Sequence, residues 1–311
     1  MKSPREINLA VEALKKGELV AFPTETVYGL GADATSDQAV AKLFAAKGRP
    51  SFNPLISHVA NAAAAFALGK FSAGAKKLAE AFWPGPLTIV VPRTSKCPVS
   101  LLASAGLPSI AVRVPDHPLA IELLCAVGRP IVAPSANLSG RISPTTAAHV
   151  KRGLGKKVSV ILDGGPCMVG VESTVISFMN ERATLLRPGG LSRSAIEEVL
   201  GHALNVEMDS VQPHSPGQME SHYAPHAHLR LEATAPRKGE SYLGFGAYNN
   251  GPYTLSARGD VIQAAANLFR MLHELDGLGV KAIAVAPIPH EGLGEAINDR
   301  LRRAAAPRPE T

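Results

Sequence analysis

Apolar residues in this chain recur in two periods, and the switches between them mark out elements. Ile7, Val11 and Leu14 fall at helical spacing, which predicts a helix over 7–16 closed by Gly17. Leu19, Val20 and Phe22 then read as a buried strand that Pro23 stops. Ser36 and Asp37 offer an N-cap, Val40, Leu43 and Phe44 an apolar stripe, and Gly48 a stop, so a second helix delivers Lys47 and Arg49 at its end. Further helices are predicted over 72–82, 118–127 and 192–200, with a short one after Ser143. Strands are predicted over 55–59, 87–91, 109–114, 131–133, 158–162, 174–178 and 183–186, the last two forming a hairpin. Alternating helix, strand and polar loop predict an α/β fold.

Periodicity fades over 205–225 and then resumes, with strands over 228–232, 241–245 and 281–286 and helices over 260–275 and 293–304. This divides the chain into a first domain, 1–204, a linker, 205–225, and a small α/β domain, 226–311. The linker is not rich in glycine and serine, so it is expected to be ordered. At 311 residues the chain has room for two domains, and 46% hydrophobic with 19% charged residues predicts a globular protein.

No apolar run reaches membrane-spanning length, and the first residues carry an early acidic group and no apolar signal core, so a cytoplasmic location is expected. Cys97, Cys125 and Cys167 are odd in number and far apart, which predicts neither a disulfide framework nor a zinc ribbon. A formal charge of +6 suits an anionic substrate or RNA.

There is no Walker A sequence, and Gly29-Leu30-Gly31 lacks the third glycine of a dinucleotide site, so any phosphate site is assembled from scattered groups. Lys47, Arg49, Arg113 and Arg187 each stand at an element end beside small or polar residues. Arginine can grip a phosphate or a carboxylate bidentately. The competing reading of each cation alone is a solvated surface charge. Alternation in the 109–114 strand places Arg113 on the side of Ala111 and Ser109. Thr24 and Thr26 are expected to project together at period two, and Pro50 and Pro54 to hold Asn53 in a stiff loop before the strand that carries His58.

Ser135-Ala136-Asn137 follows a buried strand, where backbone N–H groups can approach a ligand, although an ordinary turn fits as well. Ser173-Thr174 carries the same ambiguity, and His58 alone also suits a structural role. His222, His226 and His228 lack a carboxylate or cysteine at a recognised spacing, so no metal site is predicted. Without a GxSxG elbow there is no call for a covalent nucleophile. Aromatic residues are 5% and no RNP motif occurs, which counts against a base-stacking RNA surface.

PTETVYGLG, KGRP followed by NPLISH, WPGPLT, VRVP, PSANLSG, EST and LRPG, in this order, closely resemble the YrdC-type family. SPGQMESHYAP and the domain after it resemble its long, two-domain threonylcarbamoyl-AMP synthases. The resemblance covers nearly the whole chain. It implies a twisted, open mixed α/β sheet with a concave cleft and a small Rossmann-like α/β second domain. It also implies that L-threonine, bicarbonate and ATP, the last with Mg2+, yield threonylcarbamoyl-AMP and pyrophosphate. The expected consumer is the tRNA threonylcarbamoyl-transferase machinery, with no membrane and no stable nucleic-acid binding.

Carried onto matching positions, the family pattern assigns Thr24, Thr26, His58, Arg113, Ser173 and the backbone near Ala133 to threonine. Lys47, Arg49, Asn53, Ser135, Asn137, Ser143 and Arg187 go to the nucleotide, Ser109 to the junction, and Lys47 and Arg49 to catalysis. In the linker, Gln218, Met219, Glu220 and Ser221 occupy a gap where relatives carry basic or aromatic residues. His222 and Tyr223 are retained, so the linker is expected to lie across the cleft as a lid with Tyr223 near the nucleotide. Two other readings compete: carbamoyl transfer of the hydrogenase-maturation type, against which the missing acylphosphatase-like segment and zinc-finger cysteines argue, and an RNA-binding or ribosome-associated module.

Overall fold

A computed structural model describes residues 4–180, 182–207, 222–249 and 251–307. Residues 208–221, with the Gln218–Ser221 gap, lie outside the described residues. The first domain runs α1 (Pro4–Lys15), β1 (Val20–Phe22), β2 (Gly29–Asp33), α2 (Asp37–Lys47), β3 (Ile56–His58), α3 (Ala62–Leu68), α4 (Ala73–Phe82) and β4 (Leu87–Pro92). It continues through β5 (Ser109–Arg113), α5 (Pro118–Val127), β6 (Ile131–Val132), α6 (Ala147–Leu154), β7 (Val160–Ile161), β8 (Thr174–Ser177), β9 (Thr184–Arg187), α7 (Arg193–Leu200) and β10 (Asn205–Val206).

Among the described residues these ten strands form one mixed sheet in the order β10-β9-β8-β4-β5-β3-β6-β2-β1-β7. β8 and β9 pair antiparallel as the expected hairpin. β10 adds a parallel edge strand beside β9, so the sheet reaches Val206, beyond the expected domain end at 204.

Local sequence explains the elements that matter most. In α2, Ser36 accepts from the Ala39 N–H and Gly48, at φ 60°, closes the last turn in a conformation that costs glycine nothing. Its stripe, Val40, Leu43 and Phe44, is buried in a core that includes Leu30, Leu78 and Ile89. A separate cluster of Ile7, Val11, Leu14, Phe22, Leu123 and Ile131 sits under α1 and α5. β2 escapes a hydrophobic-pattern reading because it is GLGAD; a Cβ at Gly31 would lie 2.9 Å from the Phe22 ring, so only glycine lets that ring cross the strand.

The second domain holds β11 (His228–Arg230), β12 (Ser241–Phe245), β13 (Tyr253–Ser256), α8 (Val261–Gly277), β14 (Ala282–Val285) and α9 (Gly294–Ala305). Its strands are all parallel, in the order β11-β14-β12-β13. The core gathers Leu268, Phe269 and Leu272 from α8 with Val27, Ile142 and Val171 from the first domain. The two domains therefore share apolar packing as well as polar contacts.

Candidate functional site

One small cluster, Ile56, Val90, Ala111, Val175 and Leu186, belongs to none of the larger cores. Ile56 pairs with Ala111 and His58 with Arg113, so period-two alternation puts His58 and Arg113 on the face of these floor residues. A register shift at Val175/Ile176 sets Arg187 opposite Val175 on the neighbouring pair. A cavity forms above them. Arg49, His58, Arg113, Ala133, Ser135, Ser173, Arg187 and Tyr223, all expected in the site, line it. A roomier cavity of about 660 Å³ lies between α3 and α5, but Ala64, Leu68, Leu124 and Pro130 dominate it and it gathers none of the expected residues.

At one end, beside Arg113, Thr24 and Thr26 are buried and do not line the cavity. They meet through a turn after β1 and not along an extended strand, which corrects the period-two expectation. Their hydroxyls are 2.8 Å apart. Thr24 spends its proton on the Val27 carbonyl at 2.7 Å, so Thr26 donates to Thr24 and accepts from Arg113 Nη2 at 2.9 Å. Arg113 Nη2 also pairs with Glu25 at 2.6 Å and its Nε donates to the Gly85 carbonyl at 3.3 Å. Nη1 has no protein partner among the described residues.

At the other end, Lys47 Nζ donates to the Ser135 and Asn137 carbonyls at 2.6 and 2.5 Å, fixing the loop that carries both residues. It stands behind that loop and does not line the cavity. Arg49 donates to the Asn53 and Pro54 carbonyls at 3.3 and 3.1 Å. The Asn53 amide is buried with neither atom partnered, beside that guanidinium. Asn137 Nδ2 donates to the Leu138 and Arg141 carbonyls. Ser109, at the far end of β5 opposite Pro92, is not brought into the cavity wall.

Ser173 joins the two ends. Its hydroxyl is 2.7 Å from that of Thr88, and its carbonyl accepts from Arg187 Nη2 at 2.8 Å. Gly189 packs against this peptide so closely that a Cβ would meet the Ser173 carbonyl carbon at 2.3 Å. Ser143 lies one step behind, donating to Glu172 Oε1 at 2.5 Å.

Burial sets the charges. Desolvation takes Arg49 down to about 10, and Lys47 falls well below its ordinary value through desolvation and the neighbouring Arg49. His58 drops to about 3 by burial and then by Arg113, so it is neutral at pH 7. Glu172 is held at about 2: Arg300 and Arg187 together overcome the cost of burial.

A family model described as "Telomere recombination", for the Sua5, YciO and YrdC proteins, matches residues 12–189. A second, described as "Threonylcarbamoyl-AMP synthase, C-terminal domain", matches residues 191–306. The threonylcarbamoyl-AMP synthases of Pyrococcus abyssi and Bacillus subtilis are 39% and 40% identical to the chain, over 96% and 97% of it and 94% of each relative. The chain belongs to the threonylcarbamoyl-AMP synthase family. A crystal structure of P. abyssi Sua5 complexed with L-threonine shares its fold with a TM-score of 0.91 at 38% identity, covering 98% of this chain and 95% of that one. E. coli YciO matches with a TM-score of 0.56 at 26% identity, over 61% of this chain and 91% of its own. HypF, at 21% identity over 60% of this chain and 30% of that chain, shares only a fold with it.

Family motifs gave no role to Glu25, Glu172 or Arg300, and to His222 only as part of the linker lid, yet each touches the cleft or a residue in it. Glu25 and Glu172 sit inside PTETV and EST, flanked by hydroxyl residues already expected in the site; that company was the available signal. His222 lines the cavity with a buried Nδ1 that has no partner among the described residues. Arg300 comes from α9 and carries no local signal at all.

Proposed function

We propose that the chain condenses L-threonine, bicarbonate and ATP into L-threonylcarbamoyl-AMP and pyrophosphate. One observation carries this reading: a single cavity has Arg113, clamped by Glu25, at one end and Arg49 and Arg187, held by backbone carbonyls, at the other. The first end suits a zwitterion, whose carboxylate would meet Arg113 Nη1 and whose hydroxyl and ammonium would meet Ser173 and neutral His58, with Thr26 accepting from Arg113 outside the cavity wall. The second suits a polyanion. The threonine amine attacks the carbon of bicarbonate and water leaves, giving a carbamate. A carbamate oxygen then attacks the α-phosphorus and pyrophosphate departs. No protein nucleophile enters, so catalysis is positioning and charge stabilisation.

Among the described residues no group of three His, Cys, Asp or Glu side chains is placed to hold a metal. Glu172, the carboxylate lining the cavity, is already engaged by Ser143 and Arg300. Magnesium bound to the triphosphate would need no protein cage: it would be held by phosphate oxygens and water and would supply charge neutralisation.

The free space in the cavity is about 40 Å³, room for a water and not a nucleotide. Part of its wall must therefore move to admit ATP, and the linker residues His222 and Tyr223 in that wall are the part to which this reading assigns the movement. Tyr223 is held at φ 63°, an unfavourable conformation for a residue with a side chain. Its neighbours tie the segment down: the His222 N–H donates to the Arg303 carbonyl and the Ala224 N–H to the Gly140 carbonyl.

Full-length likeness to the synthases does not favour an RNA-binding or ribosome-associated module. No helix among the described residues is long and apolar enough to cross a membrane. The product of such a reaction would pass to tRNA threonylcarbamoyl-transferase machinery in the cytoplasm. Pyrophosphate release, with threonine and bicarbonate omitted in turn, tests the proposal. Release should require both; release without either sinks it.

A further inference from the structure

Arg300 stands on α9, in the second domain, yet its side chain is 1% exposed and buried against the cleft of the first. Its Nε donates to Glu172 Oε2 at 2.8 Å, its Nη1 to Asp299 Oδ2 at 2.5 Å and its Nη2 to the Pro188 carbonyl at 3.0 Å. The guanidinium also lies over the Tyr223 ring, 5.2 Å from its centroid. Arg303 holds the other Asp299 oxygen at 2.9 Å, and the Arg303 carbonyl accepts from His222.

Among the described residues Glu172 is the only carboxylate lining the cavity, where it stands with Arg49, Arg113 and Arg187. A bare carboxylate at that place would work twice against a triphosphate, repelling it and competing for its arginines. Both oxygens are instead engaged, one by Arg300 and the other by the Ser143 hydroxyl. We propose that Arg300 is a positioning residue, the counter-ion that ties Glu172 to the second domain and so leaves the cleft arginines to the phosphates of the nucleotide. The inference rests on the nucleotide reading above and deepens it, because it gives the second domain a share in phosphate affinity. Without Arg300, Glu172 is a buried and uncompensated charge. Its nearest relief is Arg187, which already feels its field. Arg113 is insulated from this competition by its own partner, Glu25.

The test titrates inorganic tripolyphosphate and L-threonine, separately, into the full-length protein and its variants by calorimetry, with KM for ATP and for threonine measured in parallel. Arg300→Met should weaken tripolyphosphate binding about tenfold or more and raise KM for ATP in step, with threonine binding changed less than about threefold. Adding Glu172→Gln to Arg300→Met should return tripolyphosphate affinity to within about threefold of wild type. A purely structural arginine gives no such rescue. Rescue that fails, equal losses for both ligands, or an Arg300→Met protein that binds like wild type each overturn the inference. If Arg300→Met does not fold, Glu172→Gln alone decides: it should bind tripolyphosphate at least as tightly as wild type, and weaker binding overturns the idea. Wild-type protein that binds no tripolyphosphate and releases no pyrophosphate sinks the nucleotide reading itself, whereas normal wild-type turnover with no Arg300 effect sinks only this inference.

Discussion

Arg113 and Arg49 line one cavity but are supported in opposite ways, one by a carboxylate and the other by neutral carbonyls. Arg113 is locked 2.6 Å from the Glu25 carboxylate, so that end carries little net charge and recognises by geometry. Among the described residues Arg49 leans only on the Asn53 and Pro54 carbonyls, which orient it without offsetting its charge. A fold that must bind an amino acid and a triphosphate side by side can thus separate them by choosing a carboxylate or a carbonyl as the arginine's support.

The largest effect that sharpens this contrast belongs to Arg49→Ala. A cation about 4 Å from a phosphate oxygen is worth about 4 kcal/mol at an effective dielectric near 20, so pyrophosphate release should fall by orders of magnitude with folding stability little changed. Near wild-type turnover would remove Arg49 from the site. Arg113→Ala should behave differently, because it strands Glu25 in the interior: denaturant melts should show a loss of about 3–5 kcal/mol, together with a raised KM for threonine. The double change Glu25→Gln, Arg113→Met should recover stability while threonine binding stays lost. Equal stability losses at Arg49 and Arg113 would erase the distinction.

Acid should expose the cleft next. His58 and His222 each titrate near 3 when folded, against 6.5 otherwise, because burial disfavours their charged forms. The unfolded chain therefore takes up protons that the native state refuses, and stability falls as pH drops from about 6.5 toward 3. Glu172, lowered to about 2 from 4.5, adds a loss that begins below pH 4.5. His58→Gln should flatten the upper part of that slope in urea melts taken at a series of pH values. The smallest effect is expected at Ser143→Ala. Arg300 still holds one Glu172 oxygen there, so KM for ATP should rise only a few-fold, consistent with a hydrogen bond worth roughly 1 kcal/mol.

Much of this architecture was legible where a local rule acts alone. α2 was readable to its caps because Ser36, the Val40 stripe and Gly48 obey short-range chemistry. The convergence of Arg49, His58, Arg113 and Arg187 on one cavity was implied by the family motifs, and strand alternation placed Arg113 on the side of Ala111 and Ser109. Its pairing with His58 depends instead on the β3–β5 register, which no local pattern records. The failures share a cause. The two threonines meet as expected but through a turn, since Pro23 ends the strand before them. Glu25 looks solvated until Arg113 arrives from β5, and β2 hides because its glycines record the Phe22 ring above them and not a side-chain pattern. α3, a run of alanines and one phenylalanine capped by Asn61, has too little contrast between its faces to show a period.

The apolar core of the second domain contains Val27, Ile142 and Val171, all of which leave the ribosome long before the strands that cover them. The first domain must present a finished surface before the second can close, so vectorial synthesis dictates the order of assembly: the catalytic sheet acts as the template on which its own cover is moulded.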